Sequence, residues 1–379
     1  MSVATGSKSG LSFKEETAFG TPPSGNWEQM SFNNESLAES INTVISNEVK
    51  ADRTVGSVRG GNIMAGGGIS LDLYSAKLGL ILKHCISDTL TTTTITPSAL
   101  AAQAYTRGTY VTSNSNVHVC TVAGTVTTLG GGLTGTTTGT TQSIDTATFM
   151  VVGATAIVMK QHVITGAPGF PTGGLSFEKR IRGSTADTYF PMSAGRIGSL
   201  NLNIPQEGIL TADLTILGKA FADASVTSIA GTPTEVIDDP FTGFEAQIDV
   251  NSIAQSIVES GSISINNNFD ANVFVVGLRT RKDIPPGRRE IKGSFVMFFE
   301  NLTQYQIFKN ETVIPVRLSL IHNGNYMEID LPECKFTGGS PTPVIAGNGT
   351  IKQTFEFTAF KDAGAYDIRI TLKNQTVSF

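Results

Sequence analysis

Wherever the chain is hydrophobic, it mostly alternates. "GISLDLY" puts Ile69, Leu71 and Leu73 on one side of an extended segment and Ser70 and Asp72 on the other, the two-residue period of a half-buried strand. The same period runs through "GRIGSLNLNI" and "ILTADLTILGKAF", which ends at Phe221, and a rougher version spans Ser31 to Lys50. Beyond Pro240, strands are predicted at Phe244 to Val250, Gln255 to Asn266, Val273 to Leu278, Glu290 to Phe299, Val313 to Ile321, Tyr326 to Leu331, Ile351 to Phe360 and Asp367 to Leu372. Two segments change period. In "SAKLGLILKHCI", Leu78, Ile81, Leu82 and Cys85 recur three and four apart, which predicts an amphipathic helix over Ser75–Ile86 with Ser75 as N-cap. "NLTQYQIFKN", Asn301 to Asn310, predicts a second, short helix. The fold class is therefore mainly β.

The pattern also divides the chain. "SDTLTTTTITPSA", Ser87 to Ala99, reads as a threonine-rich linker, and "ASVTSIAGTPTEVIDDP" reads as another. Short segments between them (Thr109 to Val111, Val117 to Val122, Phe149 to Val152), separated by Gly and Asn turns, read as a small inserted all-β module. On either side the halves loosely repeat. "GISLDLY" leads into the first helix and "GSFVMFFE" into the second, and "EGILTADLTILGKAF" later answers to "NGTIKQTFEFTAF". The expected organisation is an extended arm (1–30), a first barrel or sandwich unit (31–90 and 157–225), the inserted module (91–156) and a second unit (226–379), each unit with a flanking helix. The arm, "LSFKEETAFGTPPSGNWEQMSF", fits no period and is stopped by prolines. Either it docks on a neighbouring subunit or it folds back over its own barrel.

Composition narrows the chemistry. Of 379 residues, 16% are charged and 40% hydrophobic, and the net charge is -5; a chain this apolar folds, and a charge this mild does not argue for a polyanionic partner. Cys85, Cys120 and Cys334 cannot all pair with one another, which suggests free thiols in a reducing compartment. "MSVATGSKSG" lacks the features of a secretion signal, and no apolar run approaches a membrane span, so folding in a cytoplasm is expected. His84-Cys85 and His118-x-Cys120 lack the paired spacing of a zinc site, and Cys85 shares the helix's apolar face. The glycine runs Gly66 to Gly68 and Gly130 to Gly132 do not continue into a phosphate-binding loop and read as turns and bulges. No nucleophile elbow occurs, and Asp238-Asp239 sits in a linker. No enzyme activity and no cofactor are expected. "LRTRKDIPPGRREIK" gathers Arg279, Arg281, Lys282, Arg288, Arg289 and Lys292 around a Pro-Pro-Gly loop. It could bind phosphate, sit solvated, or contact a neighbouring subunit; interleaved aromatics, which nucleic-acid binding would favour, are missing.

The arm's Glu15, Glu16, Thr17, Phe19, Gly20, Thr21 and Pro23 match the pattern E-E-T-x-[WF]-G-T-x-P. With "ADR" (Ala51 to Arg53), "GGNIMAGGGISLDLY", "GRREIKGSFVMFFEN", "HNGNYMEIDLPECKFTG" and "GNGTIKQTFEFTAFKDAG", the chain resembles the tail tube proteins of bacteriophages with long, non-contractile tails. That resemblance implies β-barrel subunits that close into rings around a channel and stack into a tube conducting DNA without binding it specifically. It implies virion localisation after assembly in the host cytoplasm, no membrane insertion, and a tape measure protein, tail terminator and distal tail protein as partners. Two fused units favour trimeric, pseudo-six-fold rings, with hexamers as the alternative. Phe13, Phe19, Pro22 and Trp27 are then expected to anchor the arm on a neighbour, and Arg279, Arg281, Arg288 and Arg289 to form a charged contact between subunits. The module resembles the carbohydrate-binding-like β-modules that decorate phage tails, through Tyr105, Gly108, Val111, Cys120, Gly124 and Gly153. Phe149 stands where a tryptophan is usual and His118 where a tyrosine is, so weak glycan contact at Tyr105, Tyr110 and Phe149 is the most it implies. A virion adhesin and the tube of a bacterial injection machine are the alternative functions.

Overall fold

The computed structural model describes residues 6–376 apart from 53, 88, 131, 167–168, 184–185, 344, 346–348 and 362; Arg53 of the "ADR" pattern, Asp88 of the threonine-rich linker and Gly131 of the second glycine run lie outside the described residues. Alternation becomes strand almost throughout. The first stretch supplies β1 (Gly10–Glu15), β2 (Glu28–Met30), β3 (Asn34–Glu35), β4 (Ala38–Ile45), β5 (Val58–Asp72), α1 (Gly79–Ile86) and β6 (Thr91–Ile95). Short strands follow: β7 (Ser98–Ala99), β8 (Ala104–Tyr105), β9 (Tyr110–Ser113), β10 (Asn116–Val122), β11 (Gly124–Thr125), β12 (Thr141–Ile144) and β13 (Ala147–Ala154). The chain returns through β14 (Met159–Thr165), β15 (Leu175–Arg182), β16 (Asp187–Ile204), β17 (Thr211–Gly218) and β18 (Ala220–Phe221). It ends with β19 (Ala246–Val250), β20 (Ile253–Ala254), β21 (Val258–Asn266), β22 (Glu290–Phe298), α2 (Thr303–Lys309), β23 (Ile314–His322), β24 (Asn325–Ser340), β25 (Lys352–Ala359) and β26 (Arg369–Asn374).

The strand pairings occur twice. β1 lies between β2 and β15; β15 pairs with the first half of β16, whose second half pairs with β17, and β17 pairs with β5. In the same way β19 lies between β20 and β23; β23 pairs with the first half of β24, whose second half pairs with β25, and β25 pairs with β22. The irregularities also coincide, with a register slip between Ile197 and Ser199 in β16 and between Phe336 and Gly338 in β24. Each unit is thus folded about one long strand that changes partners midway, with a bulge near the changeover, a feature that bends a strand and raises its twist. The units join where Ser199–Ile204 of β16 pairs with Asn266–Gly261 of β21. A continuous core runs across the joint, from Ile69, Leu200 and Leu214 to Ile265, Phe295 and Phe357, and takes in Leu82, Cys85 and Ile86 of α1.

Several expectations need correction. α1 begins at Gly79 with Leu78 as an uncapped N-cap; Ser75 is buried outside the helix, and its carbonyl accepts from Asn374 Nδ2 at 2.9 Å. α2 is trimmed to Thr303–Lys309. Val273 to Leu278 forms no strand, because its apolar run meets no partner ladder and turns at Gly277 (φ +90°). Gly66 to Gly68 is not a turn but lies inside β5, where a Cβ on Gly66 would come 2.4 Å from the Ile216 carbonyl oxygen and one on Gly67 would come 2.3 Å from that of Ser36. Bare backbone is needed there so that strands can close on both sides.

The threonine-rich segment is the largest correction. Thr91–Ile95 is a strand that pairs with β14, which in turn pairs with β26. Its β-branched side chains suit a pleated ladder even without an apolar face. Beyond it, β12, β13, β10, β9 and β7 form a separate five-stranded sheet. That sheet is docked: Tyr110, Val117, Val119 and Val152 pack against Ile321 and Tyr326 at the β23–β24 turn. Arg107 donates to Ser319 Oγ (3.1 Å) and to the Glu245 carbonyl (2.7 Å), and Lys373 Nζ to the Gly108 carbonyl (2.8 Å).

Candidate functional site

Where the two units join, six strands lie side by side in the order β5, β17, β16, β21, β22, β25. The strict alternation of each strand gives this sheet two unlike faces. The row Ile69–Leu214–Leu200–Ile265–Ile291–Ala359 points into the core. One residue over, Ser70–Asp213–Asn201–Ser264–Lys292–Thr358 points away from it and continues to Lys335 of β24. A parallel row runs Asp72–Thr211–Asn203–Ser262–Ser294–Glu356. Short hydroxyl side chains bond across the ladders, Ser199 to Thr215 at 2.9 Å and Ser262 to Ser294 at 3.0 Å. The surface is therefore broad, polar and built largely of short side chains.

Its electrostatics are mildly acidic. Asp72, Asp213 and Glu356 outnumber Lys292 and Lys335 on these rows, and Glu290 lies two residues from Lys292 on the same side of β22. Each lysine is already matched: Lys292 lies 3.0 Å from Glu290 and Lys335 3.9 Å from Glu311, and neighbouring Lys352 is 2.7 Å from Glu259. A polyanion sliding over this face would meet carboxylates, hydroxyls and lysines already matched to carboxylates.

The residues singled out in the sequence fall elsewhere. In the arm, Phe13 and Trp27 are 2% and 1% exposed within their own chain. Phe13 stacks on Phe177 with centroids 6.4 Å apart, and Trp27 Nε1 donates to the Pro23 carbonyl at 3.2 Å. They fill pockets of their own chain, so the arm folds back, since β1 pairs with β15 along six residues. Phe19 is half-buried with Arg196 and Lys219 over its ring at 5.3 and 5.9 Å, and Pro22 is exposed on the loop between β1 and β2. Of the charged loop, Arg281 is buried and donates to the Ala65, Gly218 and Ala271 carbonyls. Arg289 donates to the Asp367 carboxylate from Nη2 (2.7 and 2.8 Å) and from Nε (2.9 Å), and Arg279 Nε donates to the Gly61 carbonyl at 3.0 Å. Three of the four arginines thus clamp parts of one chain together, and Arg288 stays exposed. Lys292 alone of the cluster reaches the polar rows. Tyr105, Tyr110 and Phe149 are buried; Tyr105 meets Phe149 edge-on at 5.3 Å, and Tyr110 Oη donates to the Gly324 carbonyl. Their faces are spent on the module's core and its docking, so they cannot stack on a sugar.

Sequence reasoning missed what the signature glutamates do. Glu16 is buried and accepts from Ser176 Oγ (2.6 Å) and the Ala194 (2.7 Å) and Gly20 (2.7 Å) amides, pinning the arm. Glu15 meets His84 Nε2 at 3.0 Å and Lys83 Nζ at 2.7 Å; the hydrogen bond from His84, aided by Lys83, holds its carboxyl down at about 2. Burial holds His84 below its ordinary value. Their adjacency in "FKEET" was visible, but their partners lie about 70 and 160 residues away. The cysteines are free and buried, and burial raises Cys85 and Cys334 to about 12 and Cys120 to about 11, which makes them poor nucleophiles. Among the described residues no group of three His, Cys, Asp or Glu side chains could hold a metal ion, and no helix is long and apolar enough to cross a membrane.

The family model described as phage tail tube protein matches residues 6–359. No curated protein matches the chain.

Proposed function

This chain belongs to the phage tail tube protein family, a family of structural tail components, and on that premise we propose that its copies close into rings that stack into the tail tube, with the polar rows facing the channel through which DNA leaves the virion. One observation carries the channel assignment: a continuous sheet face of Ser, Thr, Asn, Asp and Glu whose lysines are matched to carboxylates. Each Lys or Arg that touches phosphate adds affinity through released counterions, so a wall that lets DNA slide has to keep its cations occupied. DNA then passes without specific binding. Two units per chain let three copies supply six units, with six copies as the alternative. The tape measure protein would occupy the channel during assembly in the host cytoplasm, and the tail terminator and distal tail protein would meet the tube ends. The docked five-stranded module would be carried on the outside.

Electron microscopy of the purified protein tests the reading. Tubes with an axial channel are expected, and rings released from them should weigh three or six chains. Lone particles under all conditions, or any other ring number, would overturn it.

A further inference from the structure

We infer that the joint between copies repeats the joint inside the chain: the free edge of β24 in one copy pairs antiparallel with the free edge of β4 in the next. This rests on the ring reading above and specifies its strands and register. Inside the chain, β16 carries β17 on one edge and β21 on the other. The duplicated pairing map makes β24 the counterpart of β16, and β4 with β3 the counterpart of β21. Leu200 and Gly339 hold equivalent places opposite Leu214 and Phe355, as do Ile265 and Glu39 opposite Ile291 and Ala65. Yet the second half of β24 pairs with β25 alone, and β4 with β5 alone, among the described residues.

The backbone phase of the two edges agrees. The Ser36 amide donates to the Gly68 carbonyl at 2.9 Å, so Ser36 points at β5 and, by alternation, Leu37, Glu39 and Ile41 point outward. At the internal joint the Asn267 amide donates to the Gly198 carbonyl at 2.9 Å, and Asn267 is the counterpart of Ile41, Gly198 that of Thr337. Copying this register sets Ile41 against Thr337, Glu39 against Gly339 and Leu37 against Pro341. The third pair cannot form a full bridge, since proline has no N–H. Leu37 needs none: its amide donates to Glu35 Oε2 at 3.0 Å, and its carbonyl accepts from Lys179 Nζ at 2.8 Å. The two edges stop at the same place.

The flanks match as well. At the internal joint the 267–289 loop of the second unit folds over the first. Arg281 reaches the Ala65 carbonyl, and Asn267 Nδ2 reaches the Cys85 carbonyl in the last turn of α1. Its counterpart is the hairpin end around 46–57, for which no such contact occurs among the described residues; there and at the adjoining end of β4, Val44, Ile45, Val49 and Val55 are exposed. The counterpart host, the surface around α2, leaves Leu302 and Val313 exposed. Apolar surface on both sides of one open edge pair is what a second copy would cover.

Ala38 and Ser340 would face each other as a non-hydrogen-bonded pair, with Cα atoms about 4.5 Å apart, close enough for a disulfide. Oxidised rings of the A38C/S340C variant should run as a covalent ladder ending at the full ring, while each single variant, and S36C/S340C two residues out of register, should stay monomeric on a denaturing gel. In wild-type protein, the amides of Glu39 and Ile41 should exchange at least about tenfold more slowly in tubes than in subunits. Rings that form without the A38C/S340C link, or with the shifted link, or with unchanged exchange at Glu39 and Ile41, overturn the joint and leave the tube reading standing. Wild-type protein that never forms rings overturns both.

Discussion

Trp27, the sole tryptophan of the chain, is a core residue whose neighbours come from far away in sequence: its amide donates to the Ala230 carbonyl at 3.1 Å, and the Thr234 amide donates back to its own carbonyl at 2.9 Å. Trp27→Ala should therefore lower the unfolding free energy of the isolated subunit by about 3–5 kcal/mol, read by denaturant titration; unchanged subunit stability with blocked assembly would contradict this burial. The Glu15–His84 pair makes a second residue-scale prediction. An unfolded chain protonates Glu15 near 4.5 and the folded one only near 2, so the carboxylate's contribution is complete above pH 4.5 and is lost as pH falls toward 2. Burial depresses His84 below its usual 6.5, so the unfolded chain also takes up that proton first as pH drops through 6.5. Both effects have the same sign, and the melting temperature should decline steadily on acidification below pH 6.5. Glu15→Gln should flatten the part between pH 4.5 and 2; an unchanged slope there would count against the pair.

At the scale of elements, the inserted module is fastened in two ways. β6 and β14 form its stem within the large sheet, and Ile95 and Met159 are direct partners. A two-residue Asn-Gly turn can therefore replace everything between them without moving either strand. Such a deletion keeps the stem but strips the cover from Ile321 and Tyr326, both 3% exposed in the whole chain. The shortened protein is expected to fold with native circular dichroism, to melt lower than the whole chain, and to bind a hydrophobic dye. Its tubes, if the module lies outside, should be thinner. An unchanged melting temperature would mean that the packing around Tyr110 and Val119 contributes nothing.

At the scale of the whole molecule, the sign of the polar face decides whether DNA slides or sticks. Asp213 and Glu356 are exposed on it. Asp213→Lys with Glu356→Lys adds two cations per chain to the rows and removes two carboxylates. Tubes should still assemble, because neither side chain packs in the core. DNA binding to them should appear and should weaken steeply with salt, by about one decade of affinity per decade of salt for each phosphate contacted. Equal DNA retention by mutant and wild-type tubes would show that this face does not line the channel.

Local pattern alone marked most of the long strands and their two unlike faces, and it showed the loose repeat between the two halves of the chain. Ser70 and Leu71 declare their sides wherever β5 goes, because a two-residue period fixes the side of every residue once one face is buried. The sequence also carried the family signature of the arm. What it could not decide was which surfaces meet. Thr91–Ile95 has no apolar face to advertise it and becomes a strand because β14 offers it a ladder. Arg281 looks like surface charge until carbonyls of β5 and β17 converge on it from more than 60 residues away. Phe13, Trp27, Tyr105 and Phe149 are equally good interface aromatics and core aromatics by type, since burying a ring is favourable in either setting. Only the tertiary structure, by bringing Phe177 to Phe13 and Phe149 to Tyr105, assigned those rings to their own chain.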